Sequence, residues 1–198
     1  MLSTRQRGVS IIELLVGVTI TSLLLAMGIP AFTAWIQNSQ NRAAAESVLN
    51  GLQIARVEAV KRNTPVRFDF TDGTGLVAWN VGCVTVTATC PESIARRTSE
   101  NATANARVGI STTTIPTPVP TGHFGTAISA GAGLEAGVTF NGLGRIPSEN
   151  LGFDVTRIDV TNASASAARR YVIFITTGGQ IRMCDPALNF TNNPQGCS

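Results

Sequence analysis

The sequence is poor in the residues from which catalytic and metal sites are built. It has a single histidine among 198 residues, His123, with no acidic or cysteine residue beside it. Because such sites are normally assembled from clusters of polar side chains, we interpret His123 as structural or solvated. There is no Ser/His/Asp grouping, no glycine loop that opens a helix to hold phosphate, and no pair of carboxylates in a recognisable cleft. We therefore expect no enzyme, no cofactor and no metal site.

The chain also carries little net charge. It has 15 basic and 12 acidic residues, which gives a formal net charge of +3. Arg5 and Arg7 precede the first apolar segment, and without them 13 basic and 12 acidic residues remain. Bulk charge therefore does not favour nucleic-acid binding, and any such binding must come from a local basic patch.

Cysteine is scarce too, but its four copies are grouped. They fall in two local pairs, Cys83 with Cys90 and Cys184 with Cys197. Neither pair has the C-x-x-C spacing of a zinc site. An even number outside an apolar segment indicates two disulfides formed in an oxidising compartment such as the bacterial periplasm. Loops of this size would stabilise the fold by roughly 2–3 kcal/mol each, and the sequence leaves the alternative pairings open.

What the chain does have is one long apolar segment near its start. Residues 9–29 are apolar or small almost throughout, about the ~20 residues that a membrane-spanning helix needs. Glu13 interrupts this segment, where a carboxylate costs ~2–3 kcal/mol unless it finds a partner or a proton. A new amino terminus at Val9, freed by cleavage after Gly8, would supply such a partner on a neighbouring copy of the chain.

Two simpler interpretations of this segment explain less. An ordinary secretory signal has an apolar core of about 7–15 residues, whereas this one is longer and contains Glu13. A plain membrane anchor explains the length and the basic flank of Arg5 and Arg7, which predicts a cytoplasmic leader. It does not explain Glu13.

Helix-forming residues continue beyond a kink expected at Pro30. An apolar stripe at three- and four-residue spacing predicts an amphipathic helix, and Pro65 predicts that it ends near Arg62 or Asn63. Glu58 and Arg62 are spaced to form an ion pair on that helix. The stripe consists of Val48, Leu52, Ala55 and Ala59.

The remainder of the chain has the pattern of a sheet. Residues 66–70 alternate between apolar and charged, which predicts a half-buried strand. LVAWNV and VTVT, at 76–81 and 84–87, continue the pattern, with Trp79 as a core or sheet-packing residue. The proline-rich tract 112–133 has no usable period and predicts an irregular crossing. Further strands are predicted at 137–140, where GVTF precedes the turn NGLGR, and around 155–160.

A last hairpin is predicted over 169–184, with a two-residue turn at Gly178 and Gly179. On its return strand Ile181 and Met183 should face one side of the sheet, while Gln180 and Arg182 face the other.

These segments carry a family resemblance. The leader MLSTRQRG, followed by an apolar run with Glu13 at its fifth position and Pro30 at its end, resembles the class III signal of type IV pilins and type II secretion pseudopilins. The run departs from that pattern at Val9, where phenylalanine is usual, and by containing two glycines. The resemblance implies that prepilin peptidase cuts between Gly8 and Val9, that Val9 becomes N-methylated, and that Glu13 and Pro30 serve assembly.

The rest of the chain resembles the GspH/FimT family of minor pilins at SVLNGLQIARVEAVKRNTPV, VTFNGLGR and TTGGQIRMC. The resemblance implies an α+β, type IV pilin-like fold, in which a long N-terminal helix packs on an antiparallel β-domain of two sheets. The implied organisation is a leader, a transmembrane and filament-core helix, the amphipathic half of that helix, and a periplasmic β-rich domain. These occupy residues 1–8, 9–29, 30–63 and 64–198.

The resemblance implies a structural subunit of a type IV pilus or type II secretion pseudopilus, involved in initiating filament assembly near the tip. Its expected partners are other pilins or pseudopilins, prepilin peptidase and the bacterial inner membrane, which it would cross once with its C-terminal domain in the periplasm.

The alternative is a minor pilin that binds double-stranded DNA during natural transformation. Some FimT-type pilins bind DNA through a Gly-Arg-x-Arg turn, and the equivalent here is the stretch 179–182, with Gln180 in place of the first arginine. Arg182 would be the main contact, and further arginines would enlarge a salt-sensitive basic patch if the hairpin brings them together. Otherwise they are ordinary solvated residues at strand ends. The additional candidates are Arg145, Arg169 and Arg170.

Overall fold

The computed structural model describes residues 9–197, so the cleavage position Gly8 lies outside the described residues. The chain divides into two compact units, one through Ile36 and one from Gln37. A single long helix, α1 (Ile11–Arg62), contributes residues to both. The predicted long helix is therefore confirmed.

Helix α1 does not end at Pro30. Proline has no backbone N–H, so the carbonyl of Ala26 loses its usual helical hydrogen bond there. The helix nevertheless continues for about nine more turns, and the kink expected at Pro30 stays a prediction. The turn count follows from about 3.6 residues per turn over the residues that follow the proline.

The end of α1 has a defined cap. Asn63 adopts a left-handed conformation with φ of 49°. Its N–H donates to the carbonyl of Val60, and the N–H of Thr64 donates to the carbonyl of Ala59, each at 3.2 Å. This is the Schellman pattern that closes many helices. With Pro65 following, it confirms the predicted end at Arg62.

The described residues contain eight strands in two antiparallel sheets of four. The first sheet has the order β3-β2-β1-β5 and the second the order β4-β6-β7-β8. The predicted combination of a long helix with two antiparallel sheets is thus confirmed. The strands are β1 (Val66–Phe70), β2 (Trp79–Cys83), β3 (Ala95–Arg97), β4 (Ala106–Ser111), β5 (Gly137–Phe140), β6 (Arg157–Asn162), β7 (Tyr171–Ile175) and β8 (Ile181–Cys184).

The main core lies between the amphipathic part of α1 and the inner faces of both sheets. The predicted stripe of Val48, Leu52, Ala55 and Ala59 is fully buried. Gly51 allows the closest approach of helix and sheet, because a Cβ there would lie 2.7 Å from the Phe68 ring and 3.1 Å from Trp79. Trp79 is buried, as predicted, and lies 5.7 Å from Phe68 between ring centres.

The outer face of the second sheet is buried as well. The irregular tract 112–133 places Phe124 against Phe174, with 5.3 Å between ring centres. The C-terminal tail adds Cys197, which packs with Val172 and Cys184 in the same small cluster. All five residues of β7 are consequently buried, as expected for a strand covered on both faces.

Several details of the sheet prediction were wrong. Strand β2 begins at Trp79, and VTVT, at 84–87, is not a strand. The disulfide between Cys83 and Cys90 closes these residues into a short loop. Within the loop, the backbones of Thr87 and Cys90 exchange two hydrogen bonds. Strands β3 and β4 were not predicted: β3 has only three residues, and the alternation of Ala106, Val108 and Ile110 in β4 was overlooked.

The hairpin between β7 and β8 is also different in detail. Thr176 and Gln180 are joined by a 3.0 Å backbone hydrogen bond, so the turn has three residues, 177–179. Gly179 closes it with φ of 78°, as in three-residue turns whose last position is left-handed. The predicted facing of the return strand is confirmed, since Ile181 and Met183 pack against the main core.

Candidate assembly surface and the predicted arginine patch

The first unit presents a continuous apolar surface. All residues from 11 to 35 of α1 are exposed, and the helix is long and apolar enough to cross a membrane by length and composition. Its large exposed side chains include Ile11, Ile12, Leu14, Leu15, Val16, Val18, Ile20, Leu23, Leu24, Leu25, Met27, Ile29, Phe32 and Trp35. A surface of this kind needs an apolar environment, either lipid or the side chains of another helix.

The hydroxyl groups of this segment are satisfied within the helix. Thr19 donates to the carbonyl of Leu15 at 3.0 Å, Thr21 to that of Gly17 at 2.7 Å, and Ser22 to that of Val18 at 2.8 Å. These side chains therefore enter an apolar environment with their hydrogen bonds already made.

Glu13 is different. It lies in the first turn of α1, where the N–H groups of Glu13 and Leu14 both donate to the carbonyl of Ser10, at 3.1 and 3.2 Å. The N-terminal end of a helix dipole favours a negative charge, but within residues 9–197 the carboxylate has no ion-pair partner. It is also the sole ionisable side chain between Val9 and Asn41. The carboxylate is thus the one group of this surface that calls for a charged partner.

The structure joins the cysteines that are nearest in sequence. Cys83 bonds to Cys90 with 5.7 Å between their Cα atoms, and Cys184 to Cys197 with 5.0 Å. All four side chains are buried. The first bond closes a loop at the end of β2, and the second ties the C-terminal tail to β8.

Two of the predicted DNA-binding arginines are ion-paired at the start of β7. Arg170 contacts the fully buried carboxylate of Asp159 and donates to the carbonyls of Phe124 and Gly125. Arg169 lies 3.3 Å from the buried carboxylate of Asp185. The charge of Arg170 is therefore compensated in a largely buried site, while the side chain of Arg169 is paired but 53% exposed.

Arg182 is engaged as well. Its guanidinium carbon lies 4.2 Å from the centre of the Phe190 ring and 6.0 Å from that of Phe174. It also donates to the carbonyl of Gly196 at 2.9 Å. These contacts hold the disulfide-closed tail against the outer face of β8.

Arg145 and Gln180 are exposed at the opposite end of the hairpin. Gly179 packs so closely on the neighbouring turn that a Cβ there would lie 1.9 Å from the carbonyl oxygen of Gly144. At about 3.3 Å per strand residue, the five residues of β7 hold this end roughly 17 Å from Arg169 and Arg170. The structure does not bring the predicted arginines together into one patch.

Sequence reasoning missed the buried charge clusters that shape the domain. Arg157 and Asp159 form one on β6, with 2.7 Å between Nε and Oδ1. Arg67 and Asp69 form a partly exposed pair of the same kind on β1, with 2.7 Å between Nε and Oδ1. The signal was present as the repeated pattern Arg-x-Asp, since residues two apart on a strand share a face.

The cluster on β1 extends to Asp154, whose buried carboxylate lies 2.8 Å from Arg67. Burial lowers the pKa of Arg67, but hydrogen bonds and charges from Asp154 and Asp69 outweigh that effect and raise it overall. The N–H of Thr139 also donates to Asp154 at 2.7 Å. Asp154 therefore accepts a backbone hydrogen bond from the edge strand β5 and joins it to the Arg67 cluster.

Comparisons with known proteins can now be set beside this geometry. A family model described as type II transport protein GspH matches residues 44–179, and one described as the prokaryotic N-terminal methylation motif matches residues 3–29. Together with the long helix on two sheets, these matches define a protein of the minor pilin and pseudopilin class. The GspH match covers more than half of the chain, and the protein belongs to the GspH family. The resemblance drawn from the sequence is confirmed.

Among solved structures, similarity is found to FimU, a type IV minor pilin of Pseudomonas aeruginosa PAO1, in two crystal forms. One form is 14% identical, covers 74% of this chain and 94% of the FimU chain, and has a TM-score of 0.43. The other is 13% identical, covers 78% and 95% of the two chains, and has a TM-score of 0.47. No curated protein matches the sequence.

Proposed function

We propose that the protein is a non-enzymatic, low-abundance subunit of a type IV pilus or type II secretion pseudopilus that acts in filament assembly near the tip. The observation that carries this proposal is Glu13. It is a carboxylate without an ion-pair partner in the described residues, set in an exposed apolar helix whose hydroxyl groups are satisfied internally.

In this proposal, prepilin peptidase cuts between Gly8 and Val9, and the new amino terminus is then methylated. The amine of one subunit meets the Glu13 carboxylate of its neighbour as their helices pack side by side. A charge in an apolar environment is stable only with such compensation. The pairing therefore favours docking at one register over all others.

The helix from Val9 would anchor the subunit in the bacterial inner membrane before assembly. Arg5 and Arg7 favour a cytoplasmic leader by the positive-inside rule, which sends the domain from Gln37 to the periplasm. The two disulfides support this orientation, since such bonds persist in an oxidising compartment.

The test replaces Glu13 and compares it with a matched position. The Glu13→Ala protein should be cleaved and reach the membrane as the wild type does, but it should be depleted from purified filaments. Thr19→Ala removes an internally bonded hydroxyl from the same helix and should leave incorporation unchanged. Normal incorporation of Glu13→Ala would overturn the proposal, as would mass spectrometry of the native protein that finds Met1 still attached.

Whether the filament belongs to a pilus or to a secretion machine is a question about partners. Co-purification from membranes, with identification of the bound subunits, separates the two. Pilus subunits in the complex favour the first, and secretion pseudopilins the second.

We do not extend the proposal to DNA uptake. Arg169 and Arg170 are paired with buried aspartates, and Arg182 is packed against Phe190. Phosphate binding needs several free cations on one surface, and these three arginines give it no support, so DNA binding stays an untested alternative.

A further inference from the structure

Among the exposed apolar side chains of the second unit, two groups next to charged residues have no part in the proposed role of Glu13. The first, which we call the valine patch, consists of Val57, Val60 and Leu143, with 60, 50 and 76% of their surfaces exposed. Val57 and Val60 lie one turn apart on α1. The turn that carries Leu143 rests on the same helix, because a Cβ on Gly144 would lie 3.1 Å from Val60.

The valine patch has a basic rim. Arg56 donates from Nε to the carbonyl of Gly144 at 3.2 Å, which fixes its guanidinium beside the patch. Arg145 is exposed next to Gly144. Neither arginine forms a salt bridge with any acidic residue in the part of the chain that the structure describes.

The second surface, which we call the phenylalanine knob, consists of Phe153 and Leu151, with 79 and 43% of their surfaces exposed. Glu149 is exposed beside them and has no cationic partner within residues 9–197. Hydrogen bonds anchor the backbone beside the knob, since Asp154 accepts from Asn150 at 3.0 Å and from Thr139 at 2.7 Å.

We propose that the valine patch of one copy of the chain receives the phenylalanine knob of a second copy. Each surface exposes apolar side chains at its centre, and a contact between two copies would remove both sets from water. Their rims have opposite charges, with arginine on one and glutamate on the other, which fits the electrostatic complementarity of specific interfaces. A nucleic acid fits less well, because phosphates would pair with Arg56 and Arg145 but leave the aliphatic centre uncovered.

This contact goes beyond the proposed function and does not depend on it. It uses residues of the unit from Gln37 onward, whereas the filament proposal depends on Glu13. In detergent micelles Glu13→Ala should therefore leave the contact intact, and the two proposals can fail separately.

Site-directed cross-linking of the full chain in micelles tests the contact. Protein carrying Val60→Cys and protein carrying Phe153→Cys should form a cross-linked dimer when mixed, while neither should do so alone. Ala43→Cys is exposed on α1 about 26 Å from Val60, at about 1.5 Å per helical residue. It should give no product with Phe153→Cys. The lack of a mixed dimer, or an equal yield from Val60→Cys alone, would overturn the proposal.

Reversing the charges on the two rims provides a second test in the same cross-linking experiment. Arg145→Glu on the valine-patch partner, or Glu149→Arg on the knob partner, should lower the yield of mixed dimer roughly fivefold, because a favourable rim pair becomes a repulsive one. Combining the two reversals should restore the yield. If neither reversal changes it, or if the product in native membranes contains a different protein instead of a second copy, the assigned occupant is wrong.

Discussion

Arg182 stacks on Phe190, with its guanidinium carbon 4.2 Å from the centre of the ring. Phe190 belongs to the tail that the bond between Cys184 and Cys197 closes into a loop. Together with the hydrogen bond from Arg182 to Gly196, the stacking fastens this loop to β8. The residue that looked most like a DNA contact in the sequence thus stabilises the C-terminal end of the domain.

Replacing Arg182 should loosen that end. We expect Arg182→Gln to lower the free energy of unfolding by roughly 1 kcal/mol, the contribution of one exposed cation–π contact and a hydrogen bond. Hydrogen exchange should become faster over 185–197. Arg145→Gln removes an arginine without such contacts and should alter neither quantity. Unchanged exchange in the Arg182 variant would contradict this assignment.

The buried carboxylate of Asp159 should contribute much more to the free energy of unfolding than Arg182 does. It compensates both Arg157 and Arg170, and Arg157 also donates to the carbonyl of Thr126 at 2.6 Å. Asp159→Asn leaves two partly buried cations unpaired, which should cost about 3–5 kcal/mol of unfolding free energy in urea titrations. Hydrogen exchange should also speed up over 123–128.

An exposed ion pair provides the control for the loss of stability expected in Asp159→Asn. Arg42 and Glu46 lie 2.8 Å apart on the surface of α1, and Glu46→Gln should change the unfolding free energy by less than about 0.5 kcal/mol. If Asp159→Asn is equally mild, the buried cluster is not what holds the irregular tract on the sheet.

Removing the disulfides should have unequal effects. The bond between Cys184 and Cys197 spans 13 residues and that between Cys83 and Cys90 spans 7. The chain-entropy relation gives about 3 kcal/mol for the longer loop and about 2.5 for the shorter. Paired serine replacements, measured by urea unfolding, should follow this order, and only the Cys184/Cys197 pair should accelerate exchange in the tail. The reverse order would show that local packing, and not loop closure, dominates.

The ion pair between Glu58 and Arg62, at the end of α1, predicts that the free energy of unfolding depends on pH. The hydrogen bond from Arg62, at 2.7 Å, holds the pKa of Glu58 below its ordinary value of 4.5, although burial opposes the effect. A carboxyl group whose pKa is lower in the folded state stabilises the fold above the unfolded-state pKa. That contribution is lost as the pH falls through the folded-state pKa.

Glu58→Gln should therefore lower the unfolding free energy by about 0.5 kcal/mol at pH 7. The difference from the wild type should disappear on acidification below pH 4.5. Unfolding curves of both proteins at several pH values measure it. A difference that stays constant down to pH 3 would mean that the carboxylate charge is not responsible.

Local signals accounted for much of the fold. The stripe through Val48 and Leu52 predicted the buried face of α1, and Pro65 predicted its end, since both depend on neighbours within a few residues. The alternation of Phe68 and Phe70 predicted β1 for the same reason. VTVT shows the limit of such patterns, because the loop closed by Cys83 and Cys90 overrides the strand preference of its residues.

Some features of the candidate site also follow from the sequence alone, and others only from the tertiary structure. By itself the sequence determined the apolar segment, the position of Glu13 within it and the family to which the chain belongs, because length, composition and motif spacing are properties of contiguous residues. Only the tertiary structure decided that Arg169, Arg170 and Arg182 turn toward Asp185, Asp159 and Phe190. It also decided that the turn at Gly144, next to Leu143, packs against Val60 of α1. Those partners come from separate segments of the chain, and only the packed sheets bring them into contact.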